Sequence, residues 1–576
     1  MTREPATIPE ALALRETSGR GIAFLGEEGE TARWTFGDLA DVARRAAGAW
    51  RDIGVAPGDR VGLLGSTSPD LVAAIFGCWA LGAVAVPLAV PLRITSPEAL
   101  VDEISSRAAK AQISVLGADP VIGALVPLDG IAPRFVGIDR LRDGSPAPLA
   151  DVDPDSPALI QFTSGSTARP KGVALSHRTL IENGRSVRDH VGLSTDDVCV
   201  SWLPLYHDFG LIGLTLWPLV LDMATHLLPP ETFIASPKRW VHALSNYRAT
   251  VTAAPNFAFG LAARALKLIE GEIDLSALRV AANGAEPVDN ETMDGFIAAA
   301  GPRGFRREAL LGVYGLAEAT LGVSSPPTLN PPSPWWVDGV RLAGEGMAED
   351  IDPTKPGARP LVSVGNAIPG VEIAICSDAG DRLPDGTVGE IWIRSDFAML
   401  GYWDDPGETA RVLVDGWIRT GDLGVSGPDG LYVTGRVKDM IIVGGRNLYP
   451  EDAERAAASV PGVRKGNAVA FGIVRPRRSE AKAQKAREGL VVIAETRLVG
   501  EEAARLAKQI ATEVRKVMRL AADHVVLLVP GSLPKTPSGK LQRALTRKLY
   551  EAEQLVSKAV ATAGRALHGG SPEPAY

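Results

Sequence analysis

Residues 161–173 read Gln161-Phe-Thr-Ser-Gly-Ser-Thr-Ala-Arg-Pro-Lys-Gly-Val173 and directly follow the apolar segment Ala158-Leu159-Ile160. Glycines and small hydroxyl residues let backbone N–H groups converge on an anion, and the hydroxyls add further donors. Arg169 and Lys171 supply positive charge. The segment therefore indicates a phosphate-binding loop after a buried strand. It is not a Walker A loop, whose pattern is absent, and a plain Ser/Thr-rich turn is the alternative for the loop taken alone.

Short apolar strands alternate with Ala/Leu-rich helical stretches on both sides of this loop. This alternation is typical of α/β folds with buried, largely parallel sheets. The predicted helices cover residues 36–54, 97–110, 177–191, 236–247, 257–269 and 288–299. From about Val371 the strands become shorter and Gly/Asp turns more frequent, which indicates a small β-rich part. After Lys438 another α/β unit follows, with helices predicted at 501–519 and 540–557.

Composition and charge exclude several classes of protein. The chain has 576 residues, of which 45% are hydrophobic and 22% charged, so it is neither disordered nor fibrous. At roughly 100–200 residues per domain, this length indicates about three to five domains or subdomains. The net charge of −8 argues against a generally basic nucleic-acid binder. The charge is uneven, because residues 1–438 carry −17 and residues 439–576 carry +9.

The three cysteines, Cys78, Cys199 and Cys376, lie far apart and match no metal-ligand or disulfide pattern. A reducing compartment fits this spacing. The first residues lack a basic region followed by an apolar one, so no secretory signal is visible. A cytoplasmic location is therefore expected.

One uncharged stretch, the 22 residues from Leu71 to Leu92, is long enough to span a bilayer. It is rich in Ala and Gly and contains Pro87 and Pro91. We therefore predict a buried helix over residues 69–81 and a buried strand over residues 83–86 instead of a membrane span.

Further motifs follow the loop in a fixed order. They are Trp202-Leu-Pro-Leu-Tyr-His-Asp-Phe-Gly-Leu-Ile-Gly213, Ala254-Pro-Asn-Phe257, Asn283-Gly-Ala-Glu-Pro287, Gly312-Val-Tyr-Gly-Leu-Ala-Glu-Ala319, Gly389-Glu-Ile391, Gly401-Tyr-Trp403, Arg419-Thr-Gly-Asp-Leu-Gly424, Gly435-Arg-Val-Lys-Asp439 and Leu533-Pro-Lys-Thr-Pro-Ser-Gly-Lys-Leu-Gln-Arg543. Together with the loop, this set resembles the adenylate-forming superfamily of acyl-CoA synthetases, peptide-synthetase adenylation domains and luciferases. The resemblance extends from about Thr35 to Lys548.

Within the superfamily, the details are most similar to the fatty acyl-AMP ligases. The features are Leu203-Pro-Leu-Tyr-His-Asp-Phe-Gly210, Ala254-Pro-Asn-Phe257, Tyr314-Gly-Leu-Ala-Glu-Ala-Thr320 and Gly445-Arg-Asn-Leu-Tyr-Pro450. A long Pro-rich stretch between Thr320 and Gly365 is a further sign, since acyl-AMP ligases carry an extra segment there. The short stretch between Thr409 and Arg419 departs from this pattern and resembles acyl-CoA synthetases.

The resemblance implies a two-domain α/β architecture. A large N-terminal domain, residues 1–437, would contain two stacked α/β subdomains and a small β-rich subdomain at about residues 338–437. Residues 438–576 would form a small, mobile α+β C-terminal domain, with the hinge at Lys438. Rotation at one backbone position would re-aim the small domain between two half-reactions.

The resemblance also implies ATP-dependent activation of a carboxylic acid, with ATP and Mg²⁺ as cofactors. The carboxylate would attack the α-phosphorus, pyrophosphate would leave, and an acyl-adenylate would form. The residues that match the phosphate loop, expected on the β- and γ-phosphates, are Thr163, Ser164, Gly165, Ser166, Thr167 and Lys171. Glu318 matches the magnesium ligand, and a carboxylate together with phosphate oxygens suits that ion.

Other site residues follow from the same comparison. Tyr314 and Gly315 would contact adenine, with Gly284, Ala285 and Glu286 as the opposite wall. Asp422 would accept hydrogen bonds from the ribose hydroxyls, and Arg436 would contact the ribose–phosphate side. Lys540 matches the catalytic lysine that bridges the carboxylate and the α-phosphate. His207 either orients the acid or is a structural histidine. Candidate acid-pocket residues are Asp208, Phe257, Phe259 and Gly312, which suggest an apolar acid.

Three functional hypotheses remain from the sequence. An acyl-AMP ligase would pass the acyl group to the phosphopantetheine thiol of an acyl carrier protein. An acyl-CoA synthetase would pass it to coenzyme A. A non-adenylating binding homologue is disfavoured by the complete set of matching residues. The basic C-terminal part suggests docking on the acidic body or on an acidic acceptor, which salt would weaken.

Overall fold

The computed structural model describes residues 4–90, 97–127, 131–132, 134–163, 170–327, 333–443, 446–475, 487–536 and 539–564. Two sheets of seven strands each dominate this described part of the chain. Both are buried between helices, as the sequence predicts for an α/β fold.

The first sheet is parallel except for its last strand, which pairs antiparallel. Its strands, in spatial order, are Leu310–Gly312, Val280–Asn283, Val251–Ala254, Val198–Ser201, Ala224–Leu227, Gly21–Leu25 and Glu30–Thr35. The carboxyl ends of its parallel strands meet at one edge, where ligands of open α/β sheets bind.

The second sheet is parallel except at one side, where strand Gly172–Ser176 pairs antiparallel with both of its neighbours. Its strands, in spatial order, are Gly401–Tyr402, Gly172–Ser176, Pro157–Phe162, Val84–Leu88, Arg60–Leu64, Val115–Ala118 and Phe135–Gly137. The two α/β layers predicted for the large domain are therefore confirmed.

Some helices of this part have a capping side chain that accepts a first-turn N–H, as Ser68 does, and others begin with proline, which has no N–H to satisfy. The helices are Ile8–Arg15, Phe36–Asp52, Pro69–Leu81, Pro97–Ala111, Pro120–Leu125, His177–Val191, Trp217–Leu221, Pro230–Ala235, Pro237–Asn246, Asn256–Leu266 and Asn290–Ala300, with a π-helix at Phe209–Leu216. Short 3₁₀ turns lie at Ile138–Asp143, Gly301–Arg303, Arg307–Ala309, Ala317–Ala319, Val437–Asp439 and Val556–Lys558.

The uncharged stretch from residue 71 folds as a buried helix and a buried strand. Ser68 caps helix Pro69–Leu81, since its hydroxyl accepts the Leu71 N–H at 3.2 Å. Every residue of this helix from Leu71 onward is buried. The strand Val84–Leu88 follows. In the described ranges, no helix has the length and apolarity that a bilayer crossing requires.

The β-rich part is antiparallel. Its five-stranded sheet contains Val371–Cys376, Gly389–Ser395, Trp417–Gly427, Leu413–Val414 and Gly430–Arg436. Smaller pairings involve Tyr314–Gly315, Gly322–Ser325 and Asn366–Ala367, and also Trp335–Asp338 with Ala358–Leu361. Helix Gly339–Glu345 lies in sequence between the strands Trp335–Asp338 and Ala358–Leu361. Helix Pro406–Val412 follows strand Gly401–Tyr402.

Residues 441–564 have hydrophobic clusters of their own. Their elements are strands Ile441–Val443, Arg446–Leu448, Val463–Arg475, Arg487–Thr496, His524–Leu528 and Ala561–Gly564, and helices Pro450–Ala458, Gly500–Met518 and Arg543–Glu551. The helix predicted at 540–557 is shorter than expected. Gly539 has a φ of +90°, and the Thr536 N–H donates to the Lys540 carbonyl at 2.7 Å. Lys540 therefore lies in a tight loop before the helix.

Candidate active site

One cavity of about 740 Å³ collects most of the predicted site residues. It opens at the carboxyl edge of the first sheet. The second sheet, the β-rich part and the loop that carries Lys540 also contribute lining residues. The predicted residues that line it are Thr163, Lys171, His207, Asp208, Ala285, Tyr314, Gly315, Glu318, Asp422, Arg436, Lys438 and Lys540. Residues separated by several hundred positions in sequence therefore share one site.

Asp422 is the centre of a hydrogen-bonded cluster at one end of the cavity. Its carboxylate accepts the Tyr314 hydroxyl proton at 2.7 Å and pairs with the Arg436 guanidinium at 2.8 Å. Its own N–H donates to the Thr420 hydroxyl at 3.0 Å. Burial and the neighbouring Asp422 carboxylate raise the pKa of Tyr314. Asp422 is thus a buried, oriented acceptor beside an aromatic ring.

Glu390 holds the turn before Asp422, and the sequence motif alone did not indicate this role. Its carboxylate accepts the Gly421 N–H at 3.0 Å and the Arg419 guanidinium at 2.9 Å. Gly421 has a φ of +71°, so the turn needs a residue that tolerates the left-handed region. Glu390 also lines the cavity and is a positioning residue for Asp422.

Glu318 lies in the 3₁₀ turn Ala317–Ala319 and faces the cavity. The Tyr402 hydroxyl donates to its carboxylate at 2.7 Å. Burial raises the pKa of Glu318, and the Tyr402 hydrogen bond opposes that shift. Glu318 is therefore a single, largely desolvated carboxylate with capacity to accept further ligands.

Lys171 follows the predicted phosphate loop at the start of the strand Gly172–Ser176. Its ammonium pairs with Glu408 and lies 5.2 Å from the Tyr402 ring centroid. The Thr163 N–H donates to the Lys171 carbonyl at 3.2 Å, which closes the base of the loop. Ser164, Gly165, Ser166 and Thr167 lie outside the described residues.

Lys540 reaches the opposite wall from the C-terminal loop. Its ammonium lies 3.3 Å from His207 Nε2, and His207 Nδ1 lies 2.6 Å from the Asp208 carboxylate. Since a lysine ammonium can only donate, His207 Nε2 accepts in this contact. Burial lowers the pKa of Lys540, while Asp208 and Glu286 oppose that change. His207 thus lies between the half-buried Lys540 ammonium and the half-buried Asp208 carboxylate.

Five predicted residues do not line the cavity, and the structure gives each another role. Glu286 accepts the Phe257 N–H at 2.7 Å, and Phe257 packs edge-on against Trp202 and beside Gly539. Phe259 is fully buried between Trp240 and Phe296, so its assignment to the acid pocket is wrong. The backbone positions Gly284 and Gly312 are packed tightly, since an added Cβ would lie 2.7 Å from Val313 and 2.8 Å from the Ser363 carbonyl oxygen, respectively.

The cavity continues as an apolar tunnel that the sequence analysis missed. It passes between helix His177–Val191, the π-helix and one face of the first sheet. The residues that form it include Val187, Val191, Phe209, Gly213, Leu214, Trp217, Val251, Ala253, Val280, Ala282, Leu311, Val313, Leu321, Val323 and Ile368. Residues 251 and 253 lie on one strand and residues 280 and 282 on the adjacent strand. Because residues two apart in a strand point to the same side, all four lie on the face of the sheet that lines the tunnel.

Several ion pairs join residues before and after Lys438. Arg359 contacts Asp452 at 3.1 Å with both side chains largely buried, and its guanidinium lies 4.8 Å from the Tyr449 ring centroid. Lys465 contacts Glu291 at 2.7 Å on the surface. The Lys465 pair has the polarity expected from a basic C-terminal part and an acidic body. These contacts accompany the orientation that brings Lys540 into the cavity.

The chain is similar to known proteins over most of its length. A family model described as AMP-binding enzyme matches residues 9–403. A putative acyl-CoA synthetase of Caulobacter vibrioides is 34% identical over 554 residues, covering 94% of this chain and 95% of the relative. A medium-chain-fatty-acid–[acyl-carrier-protein] ligase of Moorena producens is 33% identical, with 85% of each chain covered. A solved structure among the fatty acyl-adenylate ligases of E. coli and L. pneumophila superposes with a TM-score of 0.87 at 30% identity, covering 96% of this chain and 98% of that chain.

Proposed function

The chain belongs to the family of AMP-binding enzymes and is an adenylate-forming ligase, and we propose that it activates a fatty or other bulky apolar acid for a carrier protein. The observation that carries this proposal is the shape of the cavity. A polar end with Lys171, Glu318, Asp422 and Lys540 is continuous with the apolar tunnel. A carboxylic acid with an apolar tail fits both parts at once.

The tunnel follows the strands Val251–Ala254 and Val280–Asn283 from their carboxyl ends inward. The residues that line the tunnel lie at 251–253 and 280–282, which is about 7 Å along each strand at a rise of about 3.3 Å per residue. Its walls are small, aliphatic or aromatic. The hydroxyls of Thr252 and Ser324 donate to the backbone carbonyls of Val200 and Val364, at 2.7 and 2.8 Å. The lining therefore favours an aliphatic chain over a polar side chain.

The polar end solves the problem of bringing two anions together. Lys540 would contact both the acid's carboxylate and the α-phosphate, and His207 would orient the lysine and the carboxylate. The carboxylate attacks the α-phosphorus and pyrophosphate leaves, so charge grows where Lys540 stands. Tyr314 would stack on adenine, Asp422 would accept the ribose hydroxyls, and Arg436 would contact the ribose–phosphate side.

The phosphates of ATP would extend toward Thr163, Lys171 and the rest of the predicted phosphate loop, residues 164–167. Glu318 fits a Mg²⁺ ion there, because its carboxylate lines the cavity and has capacity for a further ligand. The described residues hold no cluster of three or more carboxylate, histidine or cysteine ligands, which suits an ion held mainly by phosphate oxygens. The bound ion would neutralise phosphate charge.

The acceptor side of the proposal rests on how the C-terminal part is held. We propose domains at 1–437 and 438–576, with Lys438 as the hinge that removes Lys540 once the adenylate has formed. The extra segment Trp335–Leu361 packs near this boundary, and its Arg359 binds Asp452 and Tyr449. These contacts hold the small domain in the adenylating orientation until it rotates, and the carrier-protein ligase among the relatives supports a carrier protein as the acceptor. Coenzyme A is the alternative acceptor.

The acceptor experiment compares coenzyme A with a phosphopantetheinylated carrier protein, using one apolar acid, ATP and Mg²⁺. We expect acyl transfer to the carrier to exceed transfer to coenzyme A, and to decrease with rising salt if the basic C-terminal surface guides docking. Efficient formation of acyl-CoA with no carrier preference would establish the acyl-CoA synthetase instead.

Replacing Ala282 with leucine tests the tunnel as the acid site. Ala282 lines the tunnel from strand Val280–Asn283, so the added atoms would project into it. We expect kcat/KM for long-chain acids to fall at least about tenfold, while short acids that end before residue 282 retain their rate. The short acid is the internal control for folding and chemistry. An equal loss for all chain lengths would contradict the assignment.

A further inference from the structure

Glu408 lies between two cations at the phosphate end of the cavity. Its carboxylate pairs with the Lys171 ammonium and receives two hydrogen bonds from Arg411, at 2.9 Å from Nε and 2.5 Å from Nη2. Arg411 itself lines the cavity. The Arg411 and Lys171 interactions lower the pKa of Glu408 to about 2, so it is an anion at neutral pH.

The position of this trio is fixed by the backbone around it. Strand Gly401–Tyr402 pairs with the strand that begins at Gly172, next to Lys171. Helix Pro406–Val412 follows, and Asp405 caps it by accepting the Glu408 N–H at 3.1 Å. The Lys110 ammonium in turn forms a salt bridge with the Asp405 carboxylate, with 3.1 Å between Nζ and Oδ2. These contacts fix the first turn of the helix and therefore the position of Glu408.

The groups around Glu408 are those that bind a phosphate. A guanidinium group can donate two parallel hydrogen bonds to a pair of oxygens, either in a carboxylate or in a phosphate, and an ammonium binds both anions. The Arg411 side chain is 68% exposed, so it can change rotamer and reach another anion. The Glu408 side chain is only 19% exposed and is more confined. Lys171 is the residue already expected on the β- and γ-phosphates.

We propose that Glu408 occupies the phosphate position in the nucleotide-free enzyme and that Arg411 is a further phosphate-binding residue. This inference rests on the proposed adenylation function. When ATP binds, Lys171 and Arg411 exchange the Glu408 carboxylate for oxygens of the terminal phosphates. When pyrophosphate has formed, Glu408 competes for the same two cations and favours its departure. Glu408 thus limits how tightly the leaving group is held.

The test measures KM for ATP and the inhibition constant of pyrophosphate in acyl-AMP formation with one fixed acid. Arg411→Gln removes the charge and the guanidinium fork and leaves a shorter, polar, neutral side chain. We expect both constants to rise about tenfold, because hydrogen bonds to charged groups are among the strong ones. Arg411→Lys should restore part of the affinity. Glu408→Gln should lower both constants at least about threefold, since the competing anion is gone.

Arg394→Gln is the matched control. Like Arg411, Arg394 is an exposed arginine with a glutamate partner: its side chain is 55% exposed and pairs with Glu372 at 3.4 Å, outside the cavity. Its constants should equal those of the wild type. Transfer from purified acyl-AMP to the thiol acceptor should be unchanged in the Arg411 variants, because no pyrophosphate takes part in that step.

Two results would overturn the inference. Unchanged constants in Arg411→Gln would show that Arg411 binds no phosphate, and raised constants in Glu408→Gln would show that Glu408 only positions Lys171. Thermal unfolding of each variant separates these outcomes from loss of folding. Failure of the wild type to form acyl-AMP would instead contradict the proposed function, so the two failures are distinguishable.

Discussion

Lys540→Ala is expected to reduce the rate of acyl-AMP formation at least about 10²–10³-fold, because it removes the cation that faces the charge developing in the transition state. The Lys540 ammonium lies 3.3 Å from His207 Nε2, and desolvation there lowers the pKa of Lys540. Water cannot replace it with the same orientation. Rapid-quench measurement of acyl-AMP in a single turnover isolates this step from acceptor transfer.

Lys548→Ala is the matched control for this prediction. Lys548 is an exposed lysine in the last turn of the neighbouring helix Arg543–Glu551, and it does not line the cavity. Its variant should adenylate at the wild-type rate. Both variants should unfold at similar temperatures, since burial already disfavours the Lys540 cation. A Lys540→Ala enzyme that adenylates normally would refute the assigned mechanism.

Asp422→Asn is expected to lower kcat/KM for ATP between about tenfold and a few hundredfold. A hydrogen bond to a charged group contributes about 1.5–3 kcal/mol, and Asp422 is proposed to accept both ribose hydroxyls. Asparagine also conflicts with its surroundings, because its NH₂ group would face either the Tyr314 hydroxyl or the Arg436 guanidinium. Steady-state kinetics with varied ATP at saturating acid measure the change.

Asp429→Asn controls for the loss of a carboxylate from the same strand pair. Asp429 lies in the turn between strands Trp417–Gly427 and Gly430–Arg436 and is bonded to Tyr432. It lies outside the cavity, so its variant should keep the wild-type KM for ATP. A normal kcat/KM in Asp422→Asn would remove Asp422 from the nucleotide site.

The sequence predicted the layers of the fold because burial on both faces leaves a local signal. Strand Val84–Leu88 and helix Pro69–Leu81 are short or uniformly apolar runs bounded by turn residues, and the structure confirms both. Lys540 and Asp422 were identified through motif resemblance. Taken as single residues, they read as a lysine and an aspartate in ordinary turns.

Other parts of the site left no such signal. The tunnel residues Ala253 and Ala282 have the same identity as any core alanine, and only the sheet register shows that they face a cavity. The Lys171–Glu408 pair joins residues 237 positions apart, so periodicity cannot indicate it. Phe259 was misassigned because the Asn256–Leu266 helix turns its ring into the aromatic core.

The most direct test of the account uses an acid labelled with ¹⁸O in its carboxylate, together with ATP and a thiol acceptor. Attack of the carboxylate on the α-phosphorus leaves one labelled oxygen on AMP after the acyl group is transferred, and pyrophosphate is unlabelled. We predict AMP with one ¹⁸O atom in the wild type, and none above background in Lys540→Ala. Label in inorganic phosphate, with ADP as the nucleotide product, would contradict adenylation at this site.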